Sequence, residues 1–447
     1  MTEKVDFSPS KKLFIEILTK DIDIHDCILD LLDNSVDSYT RNKPSDKRMI
    51  KLDFDKNKIE IFDNCGGLPC DLIKNKVFRF GVETFTENLG TIGFYGLGLK
   101  RSIFKLGKSI IFETDDKKEY CRLDINVEDW LKNENEWRIP LKKKESSKLG
   151  PDEKGYAKIK ITKLNQETKE TIDVPFENYI KETIQIYYTR FIENKIDFYV
   201  NGEEQKPSDI DIIRKSKRYS PEILIDTYNG VKIQIACWIE LKFKVKEKRI
   251  TKKRGYQGWN IFMNDRLIIN DAVSKLTGWS GKKTELPKYH SLWNEFRGVV
   301  FLSSEDPSRL PINTLKNGFN TENRTYHYLL KKMVETARPV INYLRDKYNK
   351  PKEELEEGES KLLKEISADV IDEKIEEIAI ESFNENLSFK APIYIGAPTG
   401  EKIAKIKYEK PYDQVSKLKK YLKVRTNAEV GIKTFDYYWK LEELDNE

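Results

Sequence analysis

The sequence predicts an α+β protein in three successive parts: a mixed helix–strand domain, a strand-rich domain closed by a long helix, and a small strand-helix-helix tail. Three observations point that way. A helical run with an acidic face leads directly into two short strands. A glycine-rich stretch then opens a second helix. Beyond residue 200, strand-like runs dominate until one long helical run follows.

The helical run is Ile22 to Tyr39. Its apolar residues recur at Ile24, Ile28, Leu31, Leu32 and Ser35-Val36, which is the spacing of one buried stripe. The other face carries Asp26, Asp30, Asp33, Asn34 and Asp37, stacked along the helix. No Lys or Arg between Ile22 and Tyr39 offsets them. Aspartate is also a poor interior helix residue, because its side chain competes for backbone bonds. Such a helix is costly unless a cation sits against it. A bare run of Asp is most often a solvated face, but the embedded Asn and the motifs downstream favour a site.

Met49 to Phe54 and Lys58 to Phe62 read as strands around a turn at Asp55-Lys56-Asn57. The second runs into Asp63-Asn64-Cys65-Gly66-Gly67-Leu68-Pro69. A carboxylate at a strand end followed by paired glycines lets a small planar group approach the backbone. Asp71 to Phe80 reads as helix and Gly81 to Thr91 as loop. Gly93-Phe94-Tyr95-Gly96-Leu97-Gly98-Leu99-Lys100-Arg101-Ser102 then enters a helix to Leu106. Glycines at a helix N-terminus, with Lys100 and Arg101 in its first turns, suit phosphate. The spacing is neither a Walker A loop nor a dinucleotide fingerprint.

The ordered set of acidic helix with Asn, strand-Asp-Gly-Gly turn and glycine-rich stretch resembles the GHKL ATPase superfamily: DNA gyrase B, MutL, the ninety-kilodalton heat-shock chaperone, MORC proteins and histidine kinases. The texture is most MORC-like, and similar to prokaryotic ATP-binding proteins of this class. The resemblance is specific over about residues 8–110 and looser to about 320. It implies a Bergerat α/β sandwich that binds ATP with Mg²⁺. By position, Asn34 would bind the metal, Asp63 would accept the adenine amino group, and Gly67 would make room for the base. Gly93, Gly96 and Gly98 would form a lid whose amides hold the phosphates. Asp33, Asp37, Tyr95, Leu97, Leu99 and Lys100 would join them around the nucleotide. Asp30 stands where the family has a Glu general base, which implies slow hydrolysis. Cys65 replaces the first glycine of the family's Asp-x-Gly-x-Gly turn. Tyr156-Ala157 is the nearest match to its later Gly-Thr.

Ser109 to Thr114, Glu119 to Ile125 and Ala157 to Leu164 continue the domain as strands, with Lys142 to Lys148 as a charged loop. Val174 to Ile192 reads as helix, and Ile196 to Val200 with Asn201-Gly202 begins a hairpin. The resulting divisions are 1–170, 171–349, 350–400 and 401–447. In the second part, Val231 to Leu241, Trp259 to Ile269 and Arg297 to Leu302 read as strands, and Glu322 to Tyr348 as helix. Its Asn260 to Ile268 and Leu310 to Lys316 stretches resemble the β-α-β transducer (ribosomal S5-like) domain of the family. That resemblance puts Lys316 on a loop reaching the γ-phosphate, as a catalytic residue with Asp30. Lys242 to Arg254, with Tyr256 and Trp259 after it, suits a basic hairpin on nucleic-acid backbone, or equally a solvated one. Residues 350–400 read as an acidic helical linker. The tail, strand Ile403 to Tyr408, helix Tyr412 to Leu422 and a helix capped by Asn427 to Lys440, resembles a ribbon-helix-helix module. Its Lys402, Lys405 and Lys407 would suit DNA; a protein-docking module is the alternative.

Charged residues make up 35% of the chain and hydrophobic residues 38%, and no apolar run of 18 or more exists, so no membrane span is expected. Five scattered cysteines, Cys27, Cys65, Cys70, Cys121 and Cys237, lack zinc-site spacing and are expected to be reduced in a cytoplasm. The expected function is Mg-dependent ATP binding with slow hydrolysis that opens and closes a homodimer. It would serve DNA, protein clients or defence against foreign DNA. A nucleotide-gated binding module is the second reading. A histidine kinase is a weaker third, because no phospho-acceptor helix precedes the ATP domain.

Overall fold

Alternating burial is what makes the first sheet. In β1 (Arg48–Phe54), Ile50, Leu52 and Phe54 are buried, and in β2 (Lys58–Asp63), Ile59, Ile61 and Asp63 are, with the residues between them wholly or partly exposed, the mark of an antiparallel pair covered on one face. The computed structural model describes residues 10–79, 90–93, 96–208, 212–215, 219–239, 257–348, 376–379, 383–391, 409–424 and 426–442. Tyr95 and the basic stretch Lys242 to Arg254 lie outside the described residues, as do the tail strand Ile403 to Tyr408 and Lys402.

Two helices precede this pair, α1 (Lys11–Thr19) and α2 (Ile24–Asn42). After it come a short turn of helix α3 (Cys70–Leu72), which continues as a π turn Ile73–Val77, and α4 (Gly98–Leu106). Then follow β3 (Gly107–Asp115), β4 (Glu119–Asn126), α5 (Val127–Leu131), β5 (Lys143–Ser146) and β6 (Tyr156–Leu164). Helices α6 (Gln166–Thr171), α7 (Val174–Tyr187) and α8 (Thr189–Asn194) lead to β7 (Ile196–Val200) and β8 (Glu203–Glu204). The sheet order is β5-β4-β3-β6-β2-β1-β7-β8. Because β7 pairs in parallel with β1, the first layer extends past residue 170, and a boundary there cuts it. The expected charged loop 142–148 is in fact edge strand β5, whose lysines face water.

Lys11 fixes α1. Its ammonium, fully buried, donates to the carbonyls of Trp130 (2.7 Å), Asn133 (2.5 Å) and Glu136 (2.7 Å) and lies 4.3 Å above the Trp130 ring.

The second sheet follows β9 (Ile212–Lys215). It contains β10 (Glu222–Tyr228), β11 (Val231–Ile239), β12 (Gly258–Met263), β13 (Arg266–Ala272) and β14 (Phe296–Ser303), in the order β10-β11-β14-β12-β13. The expected single strand Trp259 to Ile269 is two, split by a turn in which Asn264 and Asp265 both take positive φ. The expected β-α-β order is also corrected. The parallel pair β12/β14 is linked through β13 and two 3₁₀ turns, Lys275–Thr277 and Ser291–Trp293, and the long helix α9 (Arg324–Tyr348) comes after the pair. All six residues of β12 are buried, so both faces of this sheet are covered. Leu329, Met333, Val340 and Leu344 of α9 join the main core, which runs without a break from α2 into this sheet. Phe383, Leu387 and Phe389 pack on a second cluster around Phe262 and Phe301. Residues 383–391 therefore return onto the sheet, where a linker was expected, and β15 (Glu376–Ala379) pairs with β9.

Two contacts tie this sheet to the approach of the glycine-rich stretch. Asn264 Nδ2 donates to the Thr91 carbonyl at 3.0 Å, and the Gly90 N–H donates to Glu305 at 2.9 Å.

The chain divides into two compact units, Met1–Ile395 and Gly396–Glu447. The second holds α10 (Tyr412–Leu422) and α11 (Asn427–Leu441). Thr426 is the N-cap of α11, where Asn427 was expected. The Thr426 hydroxyl accepts from the Glu429 N–H and Glu429 accepts from the Thr426 N–H, a capping box.

Cys70 and Cys121 form a disulfide with Cα atoms 5.8 Å apart, which corrects the expectation of five reduced thiols. The pairing joins the start of α3 to β4, a meeting that sequence spacing could not announce. Cys27, Cys65 and Cys237 are free and buried. No helix among the described residues is long and apolar enough to cross a membrane.

Candidate functional site

Helix α2 starts where Asp23 accepts from the Asp26 N–H at 2.7 Å. Its carboxylates are not a solvated face, for Asp30, Asp33 and Asp37 are each at most 4% exposed. Burying three acids on one helix demands partners, and the chain supplies them from far away. Arg101 of α4 donates to Asp30 Oδ2 through Nε (2.8 Å) and Nη2 (2.5 Å). Lys316 Nζ lies 2.9 Å from Asp33 Oδ2 and 3.2 Å from Asp30 Oδ1. Arg266 Nε donates to Asp33 Oδ1 at 2.6 Å, and the Tyr188 hydroxyl donates to the same oxygen at 2.8 Å. Burial works to raise the Asp33 pKa, but Arg266 and Lys316 outweigh it and hold the carboxyl below its ordinary value. Burial likewise opposes the Lys316 charge, while Asp33, Asp30 and Asp37 more than restore it.

Asp37 has a different task. Its two oxygens accept from the N–H groups of Ile92 (2.7 Å) and Gly93 (3.0 Å), fixing the start of the glycine-rich stretch. Burial pushes its pKa up to about 6. Asn34 Nδ2 donates to the Asp30 carbonyl at 2.7 Å, which leaves the amide oxygen as the atom able to serve a cation. Asp26 sits in the first turn beside His25, away from this group.

A single cavity is lined by Asn34, Asp37, Asp63, Gly93, Gly96, Leu97, Gly98, Leu99, Lys100 and Lys316. At one end Asp63 is 3% exposed among Ile61, Leu68, Phe112, Ala157 and Ile159. Its Oδ2 accepts from the Ser35 hydroxyl at 2.7 Å and its Oδ1 from the Cys65 N–H at 3.0 Å. Burial again dominates and pushes the carboxyl up to about 6. Ala157, paired with Asp63 across β2/β6, presents a methyl where the resemblance looks for a threonine hydroxyl.

At the other end, Lys100 Nζ donates to the Gly96 carbonyl, and burial lowers its pKa to about 8. A Cβ on Gly98 would lie 3.0 Å from the Asp30 carboxyl carbon, so the backbone of α4 closes directly over that side chain. The π turn after α3 contributes Lys76 and Val77 to the cavity wall.

Asp33 is placed outside the cavity lining, held by Arg266, Lys316 and Tyr188 beneath it. Gly67 is required by the backbone around it: at φ +71°, its Cβ would stand 2.2 Å from the Asp115 carbonyl and 3.0 Å from that of Tyr156, so the neighbouring strands approach closely there. Ser35, Arg41, Arg266 and Tyr188 were missed. Ser35 was read as part of the apolar stripe, and Arg266 and Tyr188 have no local signal. Arg41 lies beyond the helical run that ends at Tyr39 in the sequence, but belongs to the last turn of α2 and lines the cavity.

Asparagine and acids along one helix, a carboxylate at a strand end and a glycine turn into a second helix, all around one cavity, mark an α+β domain built around a polar pocket. Residues 22–171, about a third of the chain, match the family model described as histidine kinase-, DNA gyrase B-, and HSP90-like ATPase. The match supports the GHKL superfamily for this region. No curated protein matches the chain.

Proposed function

We propose that this chain binds ATP with Mg²⁺ and hydrolyses it slowly, using the nucleotide to switch a homodimer between open and closed states. The observation that carries the reading is the two-ended cavity. A buried acceptor, Asp63, lies between apolar walls at one end, and Asn34, the lid glycines, Lys100 and Lys316 gather at the other. Asp63 would take the amino group of adenine while Ile61, Phe112 and Ile159 pack the ring. Asn34, through its amide oxygen, fits one ligand position of Mg²⁺, which binds oxygen and keeps water and phosphate in its other positions. Bound there, the ion would neutralise phosphate charge. Gly96 to Gly98 and Lys100 would hold the phosphates, Lys316 would meet charge developing on the terminal one, and Asp30 would take the proton of the attacking water.

The second reading, a nucleotide-gated binding module with little turnover, draws support from Asp30, whose oxygens already face Arg101 and Lys316. A MORC-like role, DNA or protein partners, defence against foreign DNA and a cytoplasmic setting belong to the proposal as the sequence raised them. Calorimetry with MgATP tests it. Asn34→Ala is expected to lose most affinity, and unchanged affinity overturns the site. Steady-state ATPase separates the two readings: turnover abolished by Asp30→Asn supports the enzyme, and binding without turnover supports the module.

A further inference from the structure

We propose that Arg101 is a positioning residue that keeps Asp30 out of action until a bound phosphate draws the cations away. This rests on the ATP-hydrolysing reading above. Asp30 is 2% exposed. Arg101 grips its Oδ2 through two nitrogens, and Lys316 stands 3.2 Å from its Oδ1. Charge-assisted forks of this kind are the strong hydrogen bonds of proteins. A carboxylate so engaged offers an incoming water a crowded, charge-compensated oxygen.

Three contacts make the arrangement a latch and not a lone ion pair. Gly98, at the start of the same helix, presses its backbone against the Asp30 carboxyl, so α4 both grips and covers the acid. Arg101 Nη2 also donates to the Thr314 carbonyl at 3.2 Å, two residues before Lys316. The first turn of α4 therefore ties the acid to the Lys316 loop and to the glycine turn that ends at Gly98, so the acid's oxygens are engaged by this chain's own groups. The neighbouring acids add to the bias. Asp33 holds Lys316 at 2.9 Å, so the lysine too is engaged by an acid of α2.

A triphosphate seated over Gly96–Lys100 supplies the competing anion. As Lys316 and Arg101 turn to its oxygens, Asp30 is uncovered. The water oxygen then bonds the γ-phosphorus while the β–γ bridging bond breaks, its electron pair leaving on the β-phosphate of ADP. Asp30 takes the proton of the water. ATP and water become ADP and phosphate, and the proton is later released.

The test uses the full chain with MgATP. ATP affinity is measured by calorimetry and melting temperature is recorded for wild type, Arg101→Lys, Arg101→Gln, Asp30→Asn and the double variant Arg101→Gln/Asp30→Asn. Loosening the latch is expected to raise kcat in the order Gln above Lys above wild type, with the Gln variant up by about tenfold and KM altered much less. The double variant is expected to be inactive, showing that the gain passes through Asp30. A folded Arg101 variant with kcat at or below wild type overturns the proposal, as does turnover that survives in the double variant. Should Arg101→Gln fail to fold, Arg101→Lys alone decides, because it keeps the charge and loses the fork. Failure of wild type to bind ATP would instead sink the parent reading. Binding with no gain from Arg101 variants would sink only this one.

Discussion

The two ends of the cavity solve the burial of carboxylates in opposite ways. Asp63 is buried among apolar walls and receives only neutral donors, the Ser35 hydroxyl and a backbone N–H. Its pKa rises to about 6 as a result. Asp30 and Asp33 are buried as deeply but face Arg101, Lys316 and Arg266. The first end is a ready acceptor for a neutral donor. The second is already charge-compensated, so an incoming anion must exchange partners with acids that hold the cations. On the proposed ATP-binding reading, recognition of the base is preformed, while engagement of the phosphates requires rearrangement.

The contrast is broken most severely at its charged end. Asp33→Ala leaves Arg266 and Lys316 buried against no carboxylate at that position. Losing one partner of a buried pair costs about 3–5 kcal/mol, so urea unfolding is expected to show a loss of that order. A loss below about 1 kcal/mol would mean that the network is not what joins α2 to the second sheet.

At the neutral end, Asp63→Asn is expected to stabilise the empty protein and weaken adenine nucleotides. A carboxyl whose folded pKa is raised binds its proton more tightly in the folded state. Stability relative to Asp63→Asn therefore falls as pH rises from about 4 through about 6, and levels off above. The span is at most roughly 3 kcal/mol. Affinity for an aminopurine should drop as pH falls through the same window, since the protonated acid is a poorer acceptor. Thermal unfolding and calorimetry across pH 4–8 check both, and a flat difference curve would show that folding does not raise the Asp63 pKa.

The smallest effect expected is at Ser35. Ser35→Ala removes one donor to Asp63 and should weaken ATP by about tenfold or less. A loss equal to that of Asp63→Asn would mean that the hydroxyl touches the base itself.

Local pattern made much of this legible. Helix α2, β1, β2 and α4 follow from periodicity and turn residues within a few positions of each other. So does the strand end at Asp63. The acidic row without internal cations was a correct sign that cations must come from elsewhere, but which ones was not readable. Arg101 lies 71 residues from Asp30, and Lys316 lies 283 from Asp33. Nothing within such a separation marks a pair in a single sequence. Gly67 shows the converse: its residue type was informative, while the close approach of two carbonyls of β3 and β6 is tertiary. The disulfide between Cys70 and Cys121 was hidden for the same cause. That β7 joins the first sheet beside β1 was likewise not readable, because the pairing spans about 150 residues.

The turn at Asn264 has a consequence of another kind. Its amide holds the Thr91 carbonyl, and Glu305 holds the Gly90 N–H, so the approach to the glycine-rich stretch is anchored to the second sheet. On the proposed ATP-binding reading, linkage then works in both directions. Any ligand of that sheet that favours one placement of this stretch changes nucleotide affinity by some factor, and the nucleotide must change affinity for that ligand by the same factor. A partner could thus be recognised by how far it shifts an ATP titration, without being seen to touch the pocket at all.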